Sequence, residues 1–202
     1  MKKIIYPSKL QRSWKLILSA IAISFFAVTV SAQPKWVFDA AHSNLNFAIE
    51  RLMVSDVTGS FQIKEATLNT VGDDFTDASA YLVVDVATVD TRVPDRDAHL
   101  QRPDMFDVKQ YPDAVFRSTS FKKTGDKKYT VTGDFALHGV TKPVTLEITA
   151  NMGYDDYSKK TLTGMKAVGV IKRSDFGIAA KTPANMLSDE VTIRANLVFV
   201  KN

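Results

Sequence analysis

Along most of this chain apolar side chains fall at every second position, and that alternation decides what it can fold into. In Asn44–Arg51, Leu45, Phe47 and Ile49 share one face while Asn44, Asn46 and Glu50 take the other. Val57, Gly59, Phe61 and Ile63 repeat the pattern, as do Ala78, Ala80, Leu82, Val84 and Val86. It returns in Val115–Phe121, in Tyr129, Val131, Gly133, Phe135 and Leu137, and in Val144, Leu146, Ile148 and Ala150. Leu162–Lys172 and Val191–Phe199 complete it. Period two belongs to half-buried strands, whose successive side chains point to opposite faces. Thr124-Gly125-Asp126-Lys127 and His138-Gly139-Val140-Thr141-Lys142-Pro143 have the chemistry of turns between them. The expected fold class is all-β, with about eight consecutive, mostly antiparallel strands. Such a set can close into a barrel that holds one small ligand, and closure leaves no free edge. A two-sheet sandwich satisfies the same alternation, so periodicity leaves both architectures open.

One segment breaks the pattern. Thr91–Pro103 has capping residues, an early Pro94 and a terminating Pro103, and reads as a short helix followed by a turn. Met105 and Phe106 then form a large apolar pair between Asp104 and Asp107. A charged helix inserted between barrel strands is expected to sit over one mouth.

The N-terminus is of another kind. Lys2, Lys3, Lys9, Arg12 and Lys15 precede an apolar run from Leu16 to Val30, which ends in Val30-Ser31-Ala32 before Gln33. Small residues at −3 and −1 suit signal peptidase, and the run is shorter than the roughly 20 residues a membrane-spanning helix needs. Residues 1–32 are therefore expected to be a cleavable signal peptide and residues 33–202 one domain. All five leader charges are basic, so removing them takes the formal +4 of the chain to −1. A nearly neutral domain lacks the cationic excess that nucleic acid demands, and the general pull of anionic membranes fades likewise. With no cysteine, thiol catalysis and cysteinyl metal sites are excluded.

An outer-membrane barrel would show the same alternation with its apolar face outward. Mid-strand Glu147, Lys166, Lys172 and Arg194, a single Trp (Trp36) after the leader, and a C-terminus ending Val200-Lys201-Asn202 argue against lipid-facing girdles. Enzymatic chemistry has few candidates. His42, His99 and His138 lie near Asp39, Asp97 and Asp134, but no paired metal-ligand spacing occurs. Ser43 could serve a hydrolase with His42, Asp97 and His99, yet no G-x-S-x-G elbow is present. Neighbours such as His42 and Ser43 point to opposite faces when extended. Within Arg173-Ser174-Asp175-Phe176-Gly177, Asp175 can engage its own backbone and Gly177 can supply an unusual φ. Arg173 could instead pair with an acid such as Asp97.

Several further stretches form an ordered series. They are Trp36-Val37-Phe38-Asp39 with Ala41-His42-Ser43, then Val54-Ser55-Asp56-Val57-Thr58-Gly59-Ser60-Phe61, then Asp97-Ala98-His99-Leu100. Phe106-Asp107, Tyr111-Pro112 and Gly133-Asp134-Phe135 follow. Leu137-His138-Gly139-Val140-Thr141-Lys142-Pro143-Val144 and Arg173-Ser174-Asp175-Phe176-Gly177 complete it. In their order and spacing these residues resemble the YceI-like family of exported lipid-binding proteins. The resemblance implies a lipocalin-like antiparallel barrel, a periplasmic location, and an elongated apolar pore for a polyisoprenoid or similar amphiphile. It implies a binding protein with no cofactor and no catalytic residue. Where the family commonly has His, this chain has Arg51, a permanent cation in place of a titratable ring. Met53 stands at a glycine position and is expected to reshape the entrance. The expected ligand-contacting set is Phe47, Ile49, Arg51, Val57, Phe61, Leu82, His99, Phe106, Phe116, Phe135, Ile148, Arg173 and Phe176. The lipid is the expected partner, without stable membrane insertion; a monomer and a homodimer both fit.

Overall fold

A computed structural model describes residues 36–70 and 74–202; the signal peptide expected over residues 1–32 lies outside them. Nine strands form one antiparallel sheet: β1 (Trp36–Phe38), β2 (Asn44–Arg51), β3 (Ser55–Asn69), β4 (Ser79–Asp90), β5 (Asp113–Gly125), β6 (Lys128–Leu137), β7 (Val140–Asp155), β8 (Lys160–Lys172) and β9 (Leu187–Lys201). From β2 to β9 each strand pairs with the next, and β9 returns to pair with β2 from Asn44↔Asn196 to Arg51↔Leu187. That second pairing closes a ring of eight strands and settles barrel against sandwich. β1 continues the β2 edge along β9, opposite Phe199, Val200 and Lys201. Between the two, the Ser43 hydroxyl accepts from Val198 N (2.9 Å) and donates to Asp39 O (2.7 Å), holding the offset between the ladders.

The alternation runs true within segments and changes phase at bulges. Phe116 and Phe121 are both buried on the inner side, although an unbroken strand would put residues five apart on opposite faces. A register shift between Ser118 and Ser120 supplies the extra step. In β3 a shift between Ile63 and Glu65 likewise moves the inward set to Ala66 and Leu68. Where β3 meets β4, the partner of Ser60 is Asp90 and that of Gln62 is Asp85, so β4 bulges between them. The Thr88 hydroxyl fills the gap, accepting from Gln62 N (2.8 Å).

One end of the ring is sealed. Trp36, Leu68, Phe75, Phe121, Tyr129 and Phe199 pack together there, each at most 8% exposed. The Trp36 indole donates to the buried Thr70 hydroxyl (3.2 Å), so the apolar plug strands no polar atom. At the other end stand the irregular segments 91–112 and 173–186. The first contains the expected helix, α1 (Pro94–Leu100), with Pro94 in its first turn. Its N-cap is Val93, which has no side-chain cap bond. The capping residues anticipated there act differently: Asp97 accepts from both the backbone and the hydroxyl of Thr91.

Gly133 shapes the interior. The edge of the Phe116 ring reaches it from β5, and a Cβ at this position would stand 2.5 Å from that ring and from the Arg117 carbonyl oxygen. Gly133→Ala is therefore expected to lower stability by about 1–3 kcal/mol through overpacking, read as a lower urea midpoint. Gly164→Ala, with nothing within 4 Å of the new methyl, should stay within about 0.5 kcal/mol of the parent.

Candidate functional site

The inward faces of the strands do not fill the ring. They enclose a cavity of about 810 Å³ that runs from the aromatic plug to the open end. Its wall is built in tiers. Phe121, Val131, Ile148, Met165 and Phe199 line the deep part; Leu45, Phe61, Leu82, Phe116, Phe135, Ala167 and Ala195 follow; Phe47, Ile49, Val57, Met105 and Phe106 stand nearer the mouth. Phe61 stacks between Phe47 (5.3 Å) and Phe106 (5.6 Å, edge-on), so segment 91–112 closes against β2 and β3 through aromatic contact. Small side chains on β8 and β9, Ala167 and Ala195, leave the bore open where leucines would block it. The exposed outer face carries Lys166, Glu147 and Arg194, the reverse of a membrane barrel's polarity.

Charge is confined to the mouth. Arg51, Arg96, His99, Asp104, Arg173 and Lys181 reach the cavity there, but they are not equally available. Arg173 is 5% exposed. Its Nε donates to Ser188 O (3.0 Å), Nη1 to Ile178 O (3.2 Å) and Ala179 O (2.6 Å), and Nη2 to Thr182 O (2.7 Å) and Leu187 O (3.0 Å). A guanidinium has five N–H donors, and all are spent on backbone carbonyls. Arg173 thus organises the mouth loop and has no donor left for a ligand. The pairing with Asp97 does not occur, since Asp97 is bonded to Thr91. Arg96 is half committed in the same cluster, donating through Nε to the Thr91 hydroxyl (2.7 Å) and through Nη2 to Thr91 O (2.9 Å). Arg51 and Lys181 are exposed, and His99 lies 3.9 Å from Asp104.

The Arg173–Gly177 turn is locked from outside as well. Asp189 accepts from Ser174 N (3.0 Å) and Ser174 Oγ (2.8 Å), and the hydroxyl bond chiefly holds its carboxyl below the ordinary range. Asp175, the acid expected to brace this turn, stands exposed, whereas Gly177 does adopt the left-handed φ of 70°. Phe176 departs from expectation: it does not line the cavity. It is 1% exposed, packed edge-on against Phe135 (5.5 Å), and its carbonyl takes a hydrogen bond from His138 Nδ1 (2.9 Å). It supports the wall from behind. Met53 also differs, being 70% exposed and outside the cavity wall, so it does not narrow the entrance.

The remaining expected contacts, Phe47, Ile49, Arg51, Val57, Phe61 and Leu82 with His99, Phe106, Phe116, Phe135, Ile148 and Arg173, all border this one cavity. Sequence reasoning missed Leu52, Thr91, Lys181 and Met186 at the mouth, which lie in irregular segments where no periodicity marks a face. The histidines are not gathered. His42 bonds Asp39 through Nδ1 (2.8 Å) by the sealed end, His99 is on α1, and His138 is in the β6–β7 turn. Among the described residues no group of three His, Asp or Glu side chains could hold a metal. Ser43 spends its hydroxyl on the β1–β2 junction described above.

Ring, plug and charged mouth together define a lipocalin-like antiparallel barrel built around one deep apolar cavity. Residues 36–199 match the model of the YceI-like domain, and the chain belongs to that family. Protein YceI of Escherichia coli O157:H7 is 36% identical over 165 residues, which cover 81% of this chain and 84% of that protein. Among solved structures, BcnA of Burkholderia cenocepacia is similar with a TM-score of 0.70 at 27% identity, over 80% of this chain and 99% of the other. A polyisoprenoid binding domain from Saccharophagus degradans, implicated in plant cell wall breakdown, shares the fold with a TM-score of 0.57 at 17% identity, over 84% and 99% of the two chains.

Arg173→Lys tests the mouth scaffold. Lysine keeps the charge but offers three donors, so at least two carbonyls lose their partner. At about 1.5–3 kcal/mol per charge-assisted bond, stability is expected to fall by about 3 kcal/mol or more. Urea unfolding measures the loss, and limited proteolysis should open new cleavage within residues 178–187.

Proposed function

We propose that this protein is exported to the periplasm and there holds an amphiphile with an isoprenoid-type tail, for transport or storage, without chemical change. The observation that carries the reading is the cavity: about 810 Å³, apolar from plug to mouth, with charge only at its rim. A cavity of about 150 Å³ accepts benzene, so on that scale this one has room for on the order of thirty carbons. Each methylene moved from water into such a wall contributes about 0.8 kcal/mol, so a long tail is retained without any catalytic group, metal or cofactor. The head group lies at the mouth, within reach of Arg51, Lys181 and His99. The polyisoprenoid binding described for the Saccharophagus degradans domain accords with this reading. Export rests on the leader, with cleavage after Ala32.

Mass spectrometry of an organic extract of the purified protein tests the cargo directly, and a prenyl-type lipid is the expected result. An empty protein that takes up no such lipid on incubation would overturn the reading. Phe47→Asp or Phe116→Asp should abolish retention, because a carboxylate inside the bore loses its hydration with no partner. Ala195→Phe, which fills the bore without charge, should cut retention about tenfold or more while the circular dichroism spectrum is unchanged. The intact mass of the exported protein should correspond to an N-terminus at Gln33.

A further inference from the structure

Two loops stand together at the open end: the turn Arg51–Val54 between β2 and β3, and the segment Ala179–Met186 leading into β9. A hydrogen bond from Leu52 N to Met186 O (3.0 Å) joins them. Leu52, Met53, Val54 and Met186 are 43%, 70%, 83% and 51% exposed, and Ala180, Pro183 and Ala184 are exposed in the same two loops. Single exposed apolar side chains are ordinary, but a run of large ones bordering a cavity mouth marks a contact surface. Backbone geometry sharpens the point. Leu52 and Met53 have φ of 55° and 54°, in a hairpin turn whose two central positions normally take Asn-Gly, because there a Cβ crowds the following carbonyl oxygen and an apolar side chain makes no compensating bond. Leu52 is shared between the cavity wall and solvent, whereas Met53 and Val54 pack in neither core nor cavity; what those two suit lies outside the fold.

Charge identifies the occupant. Across residues 51–54 and 179–186 the charged side chains are Arg51 and Lys181, both cationic and both at the cavity mouth. Glu50 and Asp56 are cross-strand partners one step back and point to the opposite face, down the outer wall, and the acid beside the second loop is Asp104, whose carbonyl accepts from Ala179 N (3.3 Å). Asp104 reaches the mouth from the other segment. An apolar tip with a basic collar matches an anionic lipid surface: apolar side chains enter the acyl boundary while the cations meet phosphates. A second copy of the chain fits poorly, because a two-fold contact through this rim would gather Arg51 and Lys181 of both copies in one interface. The net −1 of residues 33–202 does not oppose docking, since the basic pair is local.

We propose that this rim seats the protein mouth-down on the surface of an anionic bilayer, so that the amphiphile passes between leaflet and bore without crossing water. The exchange step rests on the lipid-holding function proposed above; the docking stands on the rim alone. The test uses Met53→Gly/Val54→Thr, because neither residue lines the cavity and glycine relieves the turn. The intact protein should co-sediment with vesicles of phosphatidylcholine and phosphatidylglycerol, and about tenfold less with phosphatidylcholine alone or in high salt. The double variant should lose vesicle binding about tenfold while its melting temperature is unchanged or higher by about 2–4 °C. Its organic extract should still yield the lipid found in the parent. Failure of the parent to bind anionic vesicles, or equal binding by the variant, would overturn the proposal. So would a dimer in sedimentation equilibrium that the variant dissolves, since the rim would then be a contact between copies. Vesicle binding by a protein whose extract is empty would support the docking while removing the cargo.

Discussion

The structure depends on β9 bonding along both of its edges. Its ladder to β8 runs from Leu162↔Val200 to Lys172↔Glu190, and its ladder to β2 from Asn44↔Asn196 to Arg51↔Leu187. With both in place the ring closes, and the wall is held by hydrogen bonds around its circumference. A sandwich coheres by filling the space between its sheets with interdigitated side chains. A closed ring has no such need, so its inward residues can line a hole instead of filling it. Closure permits the cavity, and small inward side chains such as Ala167 and Ala195 keep it open.

The two ends of that hole are finished by different chemistry. At the sealed end, rings do the work: Phe75 and Phe121 both pack on Tyr129, at 6.0 and 5.4 Å, with Trp36 against Phe75. At the open end the covering segments are irregular, so their backbone groups find few ladder partners and are bonded by side chains instead. Arg173 collects five carbonyls, and the Thr91–Asp97–Arg96 cluster fixes the start of α1. Burying a guanidinium is expensive, and five carbonyl dipoles offset that cost. Because polar bonds fix these segments, their apolar side chains are left free to border the cavity.

Most of the barrel was legible in the sequence because period two is imposed by the backbone itself. Phe47, Phe61, Phe135 and Ile148 follow the alternation, and all four border the cavity, as does Phe116, whose inward placement the phase of Val115–Phe121 does not itself give. Legibility fails where the phase changes. Phe121 and Leu68 face the interior only because the bulges at Ser118/Ser120 and Ile63/Glu65 add a residue, and a bulge leaves no compositional mark here. The mouth was legible only as a list. Arg173, Phe176 and His99 stood out as residue types, but nothing in their spacing said that Arg173 faces carbonyls, that Phe176 packs behind the wall, or that His99 borders the opening. Such roles follow from long-range geometry, with Asp189 rather than the neighbouring Asp175 bonding Ser174.

A deep apolar bore also sets a problem of release. A tail of ten methylenes held at about 0.8 kcal/mol each is some 8 kcal/mol away from water, so escape into solvent is slow however mobile the loops. Exit becomes easy only where another apolar phase meets the opening, because the tail then trades one hydrocarbon surrounding for another at little net cost. The sealed end cannot provide such a place, since Trp36, Phe75, Tyr129 and Phe199 fill it. Under the proposed function, a bound tail would leave by the end where Leu52 and Met186 belong at once to the inner wall and to the exposed rim.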